Sequence, residues 1–458
     1  MHKIRLFRMG VPCDATFIKK ILFSSAVLIS TSTSAFAQPS TLYSDKSIPL
    51  SPVTPSGKIL SDSTIEKSGH RDFLKVKGKD IVDAEGNKFF IRGTNLGNWL
   101  NPEGYMFGFK RTSSPHTINE AFCQLVGPSE TRRFWQSFKD NYITEKDFAF
   151  ISSLGANTIR VPFHFKLFTN EDYMGLNDDR EGFRLIDSCV NWAKKHDLRL
   201  ILDMHDCPGG QSGDNIDDSF GYPWLFTDSV SQKQYFEIWE KIASYYADED
   251  VILGYELANE PIATYWEGDE REALNSRLEP LYKEVTGRIR KHDKNHIILL
   301  GGAQWNSYFG NFTDWNFDDN IMYTCHRYGG QPTAEAIEHY ITFRDKTGLP
   351  MYMGEIGHNT DEWMSAFVDL MCANNIGYTF WPYKKINVSA MTGIEPPEDW
   401  QKLVDFVEAP RGSYAEIREA RKLCSESLGR SLLRQYIDNA KADKMIIHDS
   451  YIKAMHLK

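Results

Sequence analysis

Two acids occupy matching places in otherwise apolar stretches of this chain. Glu260 lies at the end of Gly254-Tyr-Glu-Leu-Ala-Asn-Glu-Pro261, directly after the apolar run Val251-Ile252-Leu253, and Glu355 ends Pro350-Met-Tyr-Met-Gly-Glu355. A short apolar run ending in an acid reads as a buried parallel strand that delivers a carboxylate to its C-terminal tip, where backbone rather than a mobile loop holds it. Two carboxylates at two strand tips suit glycoside hydrolysis, in which one protonates the leaving oxygen while the other attacks the sugar or activates water. The remaining polar residues at predicted strand ends are Asn95, Arg160, His205, Asn259, His326, Tyr328 and Trp381. In a double displacement the nucleophile has to stay charged, and a cation such as Arg160 with a hydroxyl such as Tyr328 beside Glu355 favours the anion. The acid has to hold a proton. Glu260 is expected to do so through the like charge of Glu355 about 5 Å away, a repulsion that ends once Glu355 is esterified to sugar and leaves Glu260 a base for water.

Eight apolar segments are predicted as the strands that position these residues: 89–95, 156–161, 198–204, 251–258, 296–301, 320–326, 350–355 and 376–381. Between them, Phe236, Trp239, Ala243 and Tyr246 recur on one helical face, as do Leu274, Leu278, Leu281, Val285 and Ile289, the spacing of helices packed outside a sheet. Pro280 is read as marking the first turn of its helix. This alternation predicts one α/β domain, a (β/α)8 TIM barrel, rather than two domains. Residues 74–91 hold two short extended runs around the turn signal Asp83-Ala-Glu-Gly-Asn87, a predicted hairpin closing the barrel bottom. Long loops are expected at 99–132, 207–229 and 384–397, all on the catalytic face. Ser413-x-x-Glu416 forms a capping box that opens a C-terminal helical extension, residues 413–458, after a barrel domain spanning 71–412.

The 458 residues are 41% apolar and carry a formal charge of −10, enough for a large core and the wrong sign for general nucleic-acid binding. Residues 1–37 read as an export signal: Lys19-Lys20 precede the apolar run Ile21 to Ile29, and Ala35-Phe36-Ala37 fits cleavage before Gln38. The mature protein is therefore expected to be secreted or periplasmic, with no integral membrane segment after signal removal. A Ser-, Thr- and Pro-rich linker or arm covers 38–70. Six mature cysteines, at 123, 189, 207, 325, 372 and 424, are too widely spaced for a compact disulfide framework, and either paired or free thiols fit.

The ordered set Arg160, His205, Asn259-Glu260, His326-x-Tyr328, Glu355 and Trp381 resembles glycoside hydrolase family 5, the cellulase family of retaining enzymes on a TIM barrel, over roughly 89–381. The resemblance implies Glu260 as acid/base, Glu355 as nucleophile, Asn259 as a contact to the sugar 2-hydroxyl and Trp381 as the platform under the reacting ring. Arg92-Gly-Thr-Asn-Leu-Gly-Asn-Trp-Leu-Asn-Pro-Glu103 is similar to the opening strand of the exo-β-1,3-glucanase branch, which implies Glu103 as a ligand of the terminal sugar's hydroxyls. Asp203-Met-His205 and the loop to Asn215 resemble that branch too, with Asp206 and Cys207 in place of smaller residues. The expected partner is a β-linked glucan or oligosaccharide, with β-1,3- or β-1,4-glucan first and mannan or another β-glycoside as the alternative; no cofactor or metal is expected.

Two other classes compete. A metal hydrolase could use Asp203, His205 and His326, but no His-x-His or closely spaced ligand group accompanies them. A catalytically silent glycan-binding protein would keep the pocket, and the presence of both carboxylates argues against it. Asp214 to Asp218 lacks a recognisable calcium ligand set and is read as a solvated loop. Glu256, in the same stretch as Glu260, shows that a carboxylate occurs here without a catalytic role being required.

Overall fold

A computed structural model describes residues 73–386 and 388–458; the signal and linker expectations for 1–70 lie outside the described residues. Eight parallel strands close into a barrel. They are β1 (Arg92–Asn95), β2 (Thr158–His164), β3 (Arg199–Asp206), β4 (Ile252–Glu256), β5 (Ile297–Gly301), β6 (Ile321–Arg327), β7 (Met351–Gly357) and β8 (Gly377–Trp381), with β8 pairing back to β1. Each falls on one of the eight predicted segments. Strands covered on both faces read as continuous apolar runs, which is why composition alone locates them.

The barrel interior is layered. At the N-terminal end, Ile201, Leu253, Ile297, Leu299, Met322 and Tyr352 form a buried apolar plug. The antiparallel pair Lys75–Lys77 and Asp80–Val82 caps it, contributing Ile81, with Leu74 just before the first strand. That pair turns at Gly78-Lys79; the Asp83–Asn87 signal instead makes a second turn, bridged between Val82 and Lys88. Gly78 stands at φ +60°, a left-handed geometry that suits glycine at this tight reversal. At the C-terminal end the interior turns polar, with Asn95, Arg160, Asp203 and Glu256 all buried.

Outside the barrel, the helices Ser229–Tyr246 and Gly268–Ile289 bury the predicted apolar faces, with Phe236 only partly covered. Pro280 sits well inside the second, not in its first turn, because the helix begins earlier at Gly268 with Asp269 and Glu270 in its first turn. The expected 99–132 loop is largely helical, with helices Pro115–Val126 and Pro128–Asn141. A proline at the start of each, after Ser114 in a capping box and after Gly127, stood in the sequence as the signal. The 384–397 loop contains two short paired strands, Lys384–Ile386 and Thr392–Ile394. Ser413 does cap a helix, Tyr414–Ala420, and helices Glu426–Asn439 and Asp449–Ala454 follow. All six cysteines among the described residues are free thiols. No described helix is long and apolar enough to cross a membrane.

Candidate active site

Strand register makes the first contacts. Asn95 on β1 lies opposite Arg160 on β2, and Asp203 on β3 lies opposite Glu256 on β4. Between β6 and β7 the register slips at Gly354, so His326 meets Glu355 rather than its predecessor. Gly354 has to be small: a Cβ there would fall 2.8 Å from His326 Nε2 and 2.4 Å from Thr324 Oγ1. Bulges of this kind re-aim side chains at barrel rims.

Arg160 is the hub, fully buried on β2. Its Nε and Nη2 donate to the two oxygens of Glu256 at 2.7 Å each, Nη2 also donates to Asn259 Oδ1 at 2.8 Å, and Nη1 donates to Asn95 Oδ1 at 3.0 Å and Glu355 Oε1 at 2.7 Å. Asp203 Oδ2 lies 3.0 Å from Nη2. The bidentate fork on Glu256 locks the guanidinium plane, so the remaining N–H groups point at Glu355 and Asn259. Glu256 thus orients the hub without taking part in the catalytic pair.

Glu355 accepts from Arg160 on one oxygen and from the Tyr328 hydroxyl at 2.5 Å on the other, so both its lone-pair faces are held by donors. Glu260 sits just beyond β4 at φ +43°, a strained left-handed conformation for a non-glycine residue. Its Oε1 pairs with His326 Nδ1 at 2.9 Å, and His326 Nε2 accepts from Asn306 Nδ2 at 3.1 Å, which leaves the imidazole proton on Nδ1 facing Glu260. Burial pushes His326 down to about 4, so the ring is neutral. Asn306 reaches it because Gly301, at the end of β5, has no Cβ to meet its amide oxygen. Burial, opposed by Arg160 and reinforced by Glu256, pushes Glu260 up to about 8. The expected like-charge effect of Glu355 is not among these causes. One oxygen each of Glu260 and Glu355 and a nitrogen of His326 lie within 4.8 Å of one another.

A cavity of about 280 Å³ opens over this pair, lined by Glu103, Tyr105, His205, Ile216, Glu260, Tyr328, Glu355, His358 and Trp381. Trp381 stacks on His205 with ring centres 5.2 Å apart and planes 2° from parallel. His205 donates Nδ1–H to Asp203 at 2.7 Å and accepts from Asn259 Nδ2 at 3.2 Å. Asn95, Arg160, Asn259 and His326 are buried and are not among the lining residues. Asn95 is fully engaged, donating to the Gly354 and Phe380 carbonyls. Tyr105, Ile216 and His358 were not singled out from sequence. Tyr105 and His358 stand two and three residues after Glu103 and Glu355, within reach of a search one turn past each of those acids.

Asp217 and Asp218 are buried, which overturns the solvated-loop expectation. Asp217 Oδ2 accepts from the backbone N–H of Gln211 at 2.7 Å, Ser212 at 2.5 Å and Gly213 at 3.3 Å, and Asp218 pairs with His116 and His164. Asp217 folds the loop onto itself, and Asp218 ties it to the helix Pro115–Val126 and to β2.

Eight parallel strands with paired acids at their C-terminal tips define a class of barrel glycosidases, and the family comparison agrees. Residues 118–386 match the model of Cellulase (glycosyl hydrolase family 5). The chain belongs to that family and is by class a glycosyl hydrolase. A β-xylosidase of Phanerodontia chrysosporium is 32% identical over 62% of this chain and 61% of its own length. Endoglucanase C of Acetivibrio thermocellus is 27% identical over 61% of this chain and 94% of its own. A probable glucan 1,3-β-glucosidase A of Emericella nidulans is 29% identical over 55% and 61%. The chain thus spans less than two thirds of the first and third of these relatives. Among solved structures, an endogalactoceramidase shares the fold, with a TM-score of 0.52 and 18% identity over 69% of this chain and 75% of that one.

Proposed function

We propose that the protein is a retaining β-glycosidase that removes β-glucosyl units from the ends of a glucan or oligosaccharide, with Glu355 as nucleophile and Glu260 as acid/base. The observation that carries this is the Glu260–Glu355 pair, with oxygens within 4.8 Å. That closeness favours direct attack over the wider separation an inverting enzyme keeps for its water. Arg160 and Tyr328 aim Glu355 and hold it as an acceptor, while burial keeps a proton on Glu260 for the departing oxygen. After the leaving group departs, Glu260 is an anion in the same buried place and takes a proton from the water that frees the sugar. Asn259, engaged by Arg160 and His205, is held rigid for the 2-hydroxyl, and Trp381 supplies the ring platform.

The end-wise reading is supported by Glu103, Tyr105, His358 and Trp381, which come from the segments at the ends of β1, β7 and β8 and line the cavity together. The glucosyl preference rests on the Arg92–Glu103 resemblance and on the glucan 1,3-β-glucosidase relative. The endoglucanase relative supports the second reading, cleavage of internal β-1,4 bonds. Export to the periplasm or medium belongs to the same proposal and rests on the 1–37 sequence pattern.

A hydrolysis panel of laminarin, carboxymethyl-cellulose, mannan, xylan and aryl β-glucoside tests this with wild type beside Glu355→Gln and Glu260→Ala. Glu355→Gln is expected to lose roughly 10³-fold or more in turnover, as no covalent intermediate forms. Glu260→Ala is expected to do comparable harm on glucans and much less in the first step on nitrophenyl glycosides. Early monosaccharide with retained anomeric configuration supports end-wise double displacement; early mixed oligomers give the endo reading, and inverted product refutes the mechanism.

A further inference from the structure

Behind the cavity wall lies a cation that the mechanism above does not use. Lys385 is 7% exposed and places Nζ 3.4 Å from His358 Nδ1 and 5.3 Å from the centre of the Tyr105 ring. An ammonium only donates, so His358 Nδ1 is the acceptor in that contact. Burial, with Lys385 nearby, pushes His358 down to about 3, so the ring is neutral. A neutral imidazole that accepts at Nδ1 carries its proton on Nε2. Nε2 is 3.3 Å from the Tyr105 hydroxyl oxygen, which therefore accepts from it. Trp381 Nε1, a donor only, gives its proton to the same oxygen at 2.7 Å. Two incoming donors fill the phenol oxygen, so its own proton leaves in a third direction. Tyr105 lines the cavity, and so does Glu103, whose Oε1 has no hydrogen-bond partner among the described residues. A donor and an acceptor on one wall together suit a group that is both, a hydroxyl.

We propose that Lys385 is a positioning residue that fixes the direction of a hydrogen-bond chain through His358 to Tyr105, so that Tyr105 donates into the cavity and, with Glu103 accepting, reads one hydroxyl of the bound sugar. The inference rests on the proposed function only in taking that ligand to be a sugar. Without Lys385 the His358 proton is free to move to Nδ1; Tyr105 then donates to Nε2, and the cavity loses its donor.

Two measurements on the full chain decide it, the first without substrate. Long-range proton–nitrogen NMR of protein labelled at histidine nitrogen, with the His358 signal assigned by its loss in His358→Gln, reads the tautomer. The Nε2–H form is expected in wild type and in Lys385→Arg, and a mixture or the Nδ1–H form in Lys385→Met. Nδ1–H in the wild type overturns the chain's direction. The second compares nitrophenyl β-glucoside with its 3-, 4- and 6-deoxy analogues. Lys385→Met is expected to raise KM about tenfold on the parent with kcat little changed, to have no effect on the one analogue that lacks the hydroxyl being read, and to be rescued by Lys385→Arg. An equal loss on every substrate makes Lys385 a packing residue and overturns the proposal. Absence of wild-type turnover on all of them sinks the proposed glucosidase, while the tautomer still decides the chain.

Discussion

Glu260 and Glu355 are one chemical group in two surroundings, and the surroundings were only partly legible in the sequence. That acids, amides and histidines at the ends of apolar runs share one rim follows from periodicity alone. That Glu256 orients Arg160 does not, because their contact joins residues 96 apart and depends on barrel register. The same holds for the proton on Glu260. Its leading cause is burial, a property of the finished fold, where sequence reasoning could supply only the charge of a second acid. The sign of the pH dependence follows. The protonated form is the active acid and prevails below about 8, so activity on poor leaving groups is present there and lost as pH rises through that value. On an unactivated disaccharide, kcat/KM is expected to fall about tenfold per pH unit beyond this limb, while an activated nitrophenyl glycoside is expected to lack it. Lys385 is also pushed down to about 8, by burial, so the profiles are to be repeated in Lys385→Arg. A limb that disappears there belongs to Lys385 and not to Glu260.

At the scale of elements, apolar runs located all eight barrel strands, whereas the excursions between them were harder to read because their order comes from polar groups satisfying each other. Asp214 to Asp218 shows why. An acidic run in a loop resembles a solvated surface until the backbone of residues 211–213 curls round one of its carboxylates, as it does here around Asp217. Gln211, in the same turn, donates to the His205 and Asn259 carbonyls at 2.7 and 2.8 Å, so the loop is tied to two strand ends under the cavity. Ile216, on the cavity wall, stands next to Asp217. Asp217→Ala is expected to cost about 1–3 kcal/mol of local order by leaving buried N–H groups without an acceptor. Limited proteolysis is expected to begin within 207–229, with KM rising more than kcat falls. An unchanged cleavage pattern and an unchanged KM would show that the loop holds without its central acceptor.

Across the molecule, one buried ammonium fastens the segment after β8 to two stretches of helical sequence far from it in the chain. Lys384 Nζ, fully buried, donates to Asp147 Oδ1 at 2.6 Å and to the carbonyls of Tyr142 and Ala440 at 2.9 Å each. All three of its protons are used, and Asp147 is further satisfied by Thr144 and the Tyr383 hydroxyl. Residue 440 follows the helix Glu426–Asn439, so the sequence read as a C-terminal helical extension helps fix the strand that carries Lys385 beside the cavity. Buried ion pairs gain little over an apolar pair of the same shape, yet breaking one leaves a charge without its partner. Lys384→Met is therefore expected to cost about 3–5 kcal/mol, read as a lower denaturation midpoint in urea. Adding Asp147→Asn, which removes the stranded charge but keeps an oxygen for Thr144, is expected to recover part of that loss. If the double variant is as unstable as the sum of the singles, the two residues are not coupled, and Lys384 stabilises chiefly through the two carbonyls. If it recovers, the strand after β8 and the helix Glu145–Ser153 that carries Asp147 are joined by charge, and KM for a glycoside should return with the stability.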